Sequence, residues 1–406
     1  MTTARGPVAL VLSGGGARGA YEIGVLSVLL PALAKRKELP SIVVGTSVGA
    51  LNAAWLAAHA HLDVDALLQA ALPVWPGIRF SEVVRPLVSI RGTIRLGRYL
   101  AGAALGGGRL DMLLDSSPLT ATVPRLIPFD RLPANVRAGR VTLAVAATSV
   151  RTGRTVVFVD GTGPVPGEDA ARGIEYVKVR RLTADHVRAS AAIPAVFPAV
   201  FVDDEVMPGW YIDGGTRMNT PIKPAISLGA ARVVIVGLNG TRADDSEATN
   251  AAVPPDVFDG AAHILQGLLA DPLAADVRTL ASTNEMVLGA TRETAAGKTA
   301  IPYIFVAPER RDAIGELARD VYLEHLADGS LRASRRDLAL LGRLIGAGRN
   351  DMHGELFSYV SFAREFAEAL IDRGRRDAGA WLARTHDDGP WRIGRLPEEP
   401  RAARLS

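Results

Sequence analysis

Short runs of β-branched and aliphatic residues alternate along this chain with longer stretches in which apolar positions recur every three to four residues. The short runs Val8–Leu12, Ile42–Gly45, Val141–Ala147, Thr155–Val159, Val233–Leu238 and Tyr303–Val306 predict strands. Between the first two, Tyr21, Val25, Val28, Leu29 and Leu33 fall on one face of a helix opening near Ala17. Lys35-Arg36-Lys37 suit its carboxyl end, where cations meet the negative pole of the aligned peptide dipoles. Pro31 is expected to kink or shorten it. Such alternation predicts an α/β fold, a three-layer sandwich whose central sheet is mainly parallel.

Strand signals stop near Glu309. Helical patterns follow at Asp312–Leu326, Arg336–Leu344 and Glu355–Asp372, then a tail with Arg and Pro. The expected organisation is a main domain over 7–308, a helical extension over 309–382 and a tail over 383–406. Two stretches rich in turn formers, Asp160–Gly173 and Thr241–Pro255, predict surface loops.

Composition narrows the classes. Of 406 residues, 48% are hydrophobic and 22% charged, the balance of a folded protein with a sizeable core. A formal charge of +3 is too small to argue for nucleic acid. The absence of cysteine removes disulfides, thiolate metal sites and cysteine nucleophiles. The run Val8–Leu12 is too short for a signal-peptide core, and glycines follow it at once. Ile42–Leu62, the longest apolar stretch, is interrupted by Thr46, Ser47, Asn52 and two histidines, so it predicts a strand, a turn and a helix, not a membrane span. A cytoplasmic protein needing no metal or cofactor is expected.

Three motifs carry chemistry. The first, Ser13-Gly14-Gly15-Gly16-Ala17-Arg18-Gly19, joins a strand to a helix and can aim bare N–H groups at an anion. Gly14, Gly16 and Gly19 also satisfy the spacing of a dinucleotide-binding loop. That use needs an acid at the end of the second strand, where Val44-Gly45-Thr46-Ser47 stands instead. The second, Gly45-Thr46-Ser47-Val48-Gly49, has the form of a nucleophile elbow, with glycines flanking a serine on a tight strand-to-helix turn. The third, Ile212-Asp213-Gly214-Gly215, places an aspartate after an apolar strand, either as a turn residue or as the base that an activated serine requires. Of the seven histidines, His59 and His61 lie too far along the helix leaving Ser47, and His186, His263, His325, His353 and His386 stand in no recognisable motif. A triad esterase using one of them is the alternative to a base other than histidine.

In this order the three blocks resemble the signature of the patatin-like phospholipase family, and Ser190-Ala191-Ala192-Ile193-Pro194-Ala195-Val196-Phe197-Pro198 resembles a further family segment. The resemblance runs from about Val8 to Ile226. It implies a Ser47–Asp213 dyad without histidine, an oxyanion hole of Gly14, Gly15 and Gly16, and a phospholipid or lysophospholipid substrate. Arg18, Gly19, Gly45, Gly49, Gly214 and Gly215 would support the motifs, Arg18 by fixing the loop or by meeting a phosphate. Ser13 departs from the family, many of whose members carry aspartate there.

Between Glu82 and Asp111 there is no acid, while Arg85, Arg91, Arg95, Arg98 and Arg109 all occur. The segment 85–109 is therefore a candidate for peripheral contact with anionic lipid, or else a solvated helix over the core.

Overall fold

The computed structural model describes residues 6–85, 114–194, 196–240, 256–289, 299–326, 336–384 and 386–396. Ten strands form one sheet: β1 (Val8–Leu12), β2 (Ile42–Thr46), β3 (Thr142–Ser149), β4 (Thr155–Asp160), β5 (Glu168–Asp169), β6 (Ile174–Lys178), β7 (Val200–Val202), β8 (Gly209–Asp213), β9 (Arg232–Val236) and β10 (Tyr303–Val306). Their order is β10-β9-β1-β2-β3-β4-β6-β5, with the β7–β8 hairpin attached to β3. From β10 to β3 all neighbours are parallel, and β4 then turns antiparallel to β3. Every residue of β1, β2, β9 and β10 is buried, as expected of strands covered by helices on both faces. All six strands read from the hydrophobic pattern are present.

The helices used below are α1 (Gly19–Lys35), α2 (Val48–Ala58), α3 (Ala184–Ser190), α4 (Val257–Gly289), α5 (Ala313–His325), α6 (Arg336–Ile345), α7 (Asp351–Ser358) and α8 (Arg364–Ala383). A short 3₁₀ turn, Gly16–Arg18, precedes α1, which runs through Pro31 without stopping. Together with this turn (Gly16–Lys35), α1 is long and apolar enough to cross a membrane, but 72% of its apolar window is buried inside the protein. Its partner is α8. A Cβ on Gly24 would strike the Ile371 carbonyl, and one on Gly374 the Tyr21 carbonyl, so these backbones approach closely. The Tyr21 hydroxyl donates to Asp377 Oδ2 at 2.8 Å across the same interface.

Two expectations change. The pattern over Glu355–Asp372 is not one helix: α7 ends at Ser358 and α8 begins at Arg364. The long helix α4 carries Pro272 inside it and was not anticipated. Thr241–Pro255 and most of the basic segment 85–109 lie outside the described residues; of the latter, Arg85 faces Asp115 at 3.5 Å.

The register of β3 brings two distant segments together. β3 outlasts β2: Thr46 pairs with Ala146, and β2 ends there. The same edge of β3 is then taken over by β8, running the opposite way, with Asp213 opposite Ala147. Two strands thus meet head-on along one edge, and their carboxyl ends deliver Ser47 and Asp213 to the same point.

Candidate active site

Ser47 follows β2 with φ 55° and ψ −124°, a left-handed conformation that costs a non-glycine residue roughly 1–3 kcal/mol. The turn closes only because its flanks lack side chains. A Cβ on Gly45 would strike the Gly49 carbonyl, and one on Gly49 the Leu12 carbonyl. Ser47 then caps α2, and its carbonyl accepts from Ala50 N–H at 2.9 Å. Its Oγ donates to Asp213 Oδ2 at 2.5 Å, and both residues are buried.

Asp213 holds few hydrogen bonds for a buried carboxylate. Oδ2 accepts from Ser47, and Oδ1 accepts from Gly215 N–H at 2.6 Å. Burial outweighs both bonds and pushes its carboxyl up to about 7. Gly214 fits because a Cβ there would strike the Ala146 carbonyl.

The segment Ser190–Pro198 ties the two residues together. Ser190 Oγ accepts from Ser47 N–H at 2.8 Å and donates to the Ala146 carbonyl at 2.6 Å. Two residues on, the Ala192 carbonyl accepts from Asp213 N–H at 2.8 Å. The sequence shows Ser190 as part of a family-like segment, but no spacing reveals that it holds the nucleophile's backbone.

The glycine loop follows β1, next to β2, and so lies beside Ser47. Ser13 Oγ donates to the Val236 carbonyl at 2.9 Å and meets Thr220 Oγ1 at 2.9 Å. Gly14 N–H donates to the Asn219 carbonyl at 3.1 Å, whereas Gly15 and Gly16 N–H have no acceptor among the described residues. Gly16 takes φ +59°, and a Cβ there would strike the Tyr359 carbonyl, which also accepts from Ala17 N–H at 2.9 Å. Gly19 opens α1 where a Cβ would meet Val48 and Trp75.

Arg18 settles between its two expected roles as an anchor. Its side chain is fully buried, with Nε donating to Ser358 Oγ at 2.8 Å and Nη1 to Asn239 Oδ1 at 2.7 Å. Nη2 lies 2.6 Å from Glu355 Oε1, and the guanidinium stacks 3.8 Å above the Tyr359 ring. All but Asn239, which follows β9, come from α7 and the residue after it, so the carboxyl-terminal helices help hold the glycine loop. With its donors turned inward, Arg18 offers no phosphate contact.

Comparison with known proteins decides the family. The model of the patatin-like phospholipase family matches residues 10–226, more than half of the chain. The chain belongs to this family. No curated protein matches it in sequence. Among solved structures it is similar to VipD from Legionella pneumophila, at 13% identity over 91% of this chain and 67% of that one, with a TM-score of 0.32. The human GIVD cytosolic phospholipase A2 in complex with methyl γ-linolenyl fluorophosphonate and terbium chloride is 13% identical, over 93% of this chain, with a TM-score of 0.33. This chain spans 60% of that enzyme's length. The ExoU–SpcU complex of Pseudomonas aeruginosa is 19% identical over 90% of this chain and 74% of the matched one, with a TM-score of 0.23.

Within this patatin-like frame the histidines are engaged elsewhere. His59 stacks on Trp55, His386 on Trp381, and His186 shares hydrogen bonds with Thr183. None of the seven hydrogen-bonds to Ser47 or Asp213 among the described residues. Among the described residues, one cluster has metal-ligand chemistry: Asp256, Asp259 and His353 bring their ligand atoms within 4.8 Å of one another. Its acids already serve the start of α4, since Asp256 Oδ1 accepts from Phe258 N–H and Asp259 Oδ2 from Asp256 N–H.

Proposed function

We propose that this chain is a serine acyl hydrolase that cleaves carboxylic esters of phospholipids or lysophospholipids through Ser47 and Asp213. The observation that carries the reading is the 2.5 Å contact from Ser47 Oγ to a buried carboxyl pushed up to about 7. A carboxylate of ordinary basicity is a weak partner for a serine hydroxyl, and one poised near neutrality is a far better proton acceptor. Ser47 Oγ attacks the ester carbonyl as its proton passes to Asp213 Oδ2. The C–O bond to the alcohol then breaks, the alcohol leaves with that proton, and Ser47 is left acylated. Water repeats the sequence on the acyl-enzyme and releases the fatty acid.

The tetrahedral oxyanion needs N–H donors fixed in advance. Gly15 and Gly16 can supply them, while Gly14 N–H is committed to Asn219. The hole proposed here is therefore narrower than the three glycines of the motif. Desolvation by the surrounding core strengthens each of these interactions.

The test is incubation of the protein with a fluorophosphonate and, separately, with a panel of phospholipids and lysophospholipids. The expected results are one phosphonyl adduct on Ser47 and release of free fatty acid, both by mass spectrometry. An adduct on another serine, or an intact lipid panel beside an active short-chain esterase, would refute the assignment of residue or of substrate.

A further inference from the structure

The register that joins Ser47 to Asp213 also builds a ledge beyond them. β3 continues three residues past β2, pairing Ser149 with Tyr211, and Val150 N–H donates to the Trp210 carbonyl at 2.9 Å. At about 3.3 Å per residue, Trp210 stands about 10 Å past Asp213, at the end of the sheet where the parallel strands finish. The outer face of this ledge is apolar and uncovered. Trp210 is 56% exposed, Phe201 45%, Val150 53% and Val206 65%. Phe201 and Trp210 are cross-strand partners with ring centroids 5.4 Å apart, edge to face. The chain's other four tryptophans are 7% exposed or less, so Trp210 stands apart.

We infer that the β7–β8 hairpin, with the β3–β4 turn, is a docking surface for a phospholipid bilayer; this rests on the lipid hydrolase reading above. Tryptophan and phenylalanine on a rigid ribbon suit the boundary between headgroups and acyl chains, where an aromatic ring has both an apolar body and a polarisable edge. Charges of both signs surround it, as at a zwitterionic headgroup layer. Arg151 and Arg217 are exposed beside the patch, and Arg217 reaches to within 3.4 Å of where a Gly153 Cβ would lie, in the β3–β4 turn. Of the three acids in the hairpin turn, Glu205 faces Arg180 at 3.6 Å, Asp204 Oδ1 accepts from Val206 N–H at 2.9 Å, and Asp203 is exposed. The ledge lies at the dyad's end of the sheet, so lipid lifted from a docked bilayer has a short path to Ser47.

Vesicles of phosphatidylcholine and phosphatidylglycerol, with and without brominated acyl chains, test this directly. In the wild type, Trp210 fluorescence is expected to shift to the blue and to be quenched by brominated lipid. Trp210→Phe should still sediment with vesicles but lose the quenching, since the remaining tryptophans are internal. Phe201→Ser/Trp210→Ser should bind vesicles at least about tenfold more weakly, the scale of losing two buried aromatic side chains. Its hydrolysis of a soluble short-chain ester should match wild type, because neither residue touches the dyad. Absence of quenching in the wild type, or unchanged vesicle binding by the double variant, would overturn the inference. So would a dimer that the double variant dissociates, which would assign the patch to a second copy of the chain. Quenching does not depend on turnover, so a failed ester assay with intact quenching would count against the catalytic reading alone.

Discussion

Asp213 and Arg18 are both ionisable and both buried, one against Ser47 and the other in the glycine loop, yet they are provided for differently. Arg18 has partners on every side: Ser358, Asn239, the Glu355 carboxylate and carbonyl, and the Tyr359 ring. Asp213 has two donors and a carboxyl pushed up to about 7. A buried charge that is fully paired stays where it is and holds its surroundings. A buried charge left short of partners keeps its free energy available for proton transfer. The contrast separates the group that performs chemistry from the group that fixes the loop beside it.

Substitutions at the dyad should affect the rate most. Ser47→Ala is expected to abolish ester hydrolysis and fluorophosphonate labelling while leaving the circular dichroism unchanged; turnover above background would remove Ser47 from the mechanism. Asp213→Asn keeps the shape but cannot accept the proton, so kcat should fall by about 10²–10⁴-fold. The same change should stabilise the fold. With its folded pKa raised, Asp213 binds its proton more tightly folded than unfolded, so its burial costs stability as pH rises from about 4 to about 7. At higher pH that cost is on the order of 4 kcal/mol, and thermal melts should show Asp213→Asn more stable there and equal to wild type near pH 4. A variant less stable at pH 8 would mean that the carboxylate is better solvated than its surroundings indicate.

Next comes the loop. Gly16→Ala loads a left-handed residue and drives a Cβ into the Tyr359 carbonyl, so the N–H donors should move and kcat fall by about 10²–10³-fold. KM should change much less, because the hole acts on charge that develops in the transition state. A rise in KM at constant kcat would assign the loop to substrate binding. The smallest rate effect is expected at the anchor. Glu355→Gln leaves Arg18 buried without its counter-charge and should lower stability by about 3–5 kcal/mol in urea titrations. At temperatures where it stays folded, kcat should remain within about tenfold of wild type. A collapse of kcat with unchanged stability would make Glu355 part of the chemistry and erase the contrast with Asp213.

The parts legible in the sequence are those set by neighbours in the chain. Gly45 and Gly49 mark a turn with no room for a side chain at either position, and the alternation of strand and helix gives the parallel sheet. The props were not legible, because they are long-range. Ser190 meets a residue 143 positions away, and Arg18 meets Ser358 across 340. The break between α7 and α8 falls in Tyr359–Ala363, which contains neither glycine nor proline, so periodicity reads straight through it. The carbonyl of Tyr359, just past the end of α7, accepts from the glycine loop, and that tertiary bond is invisible to local propensity.

The central claim is that Asp213, and no histidine, is the base. The pH dependence of kcat/KM on a soluble short-chain ester, measured for wild type and Asp213→Asn together, tests it most directly. Asp213 must be unprotonated to accept the serine proton, so wild-type activity should rise with pH through about 7 and level off above it. The variant should retain only a small residue of that rate, with no ionisation near 7. An Asp213→Asn enzyme with wild-type rate and the same rising limb would place the base elsewhere and contradict the account.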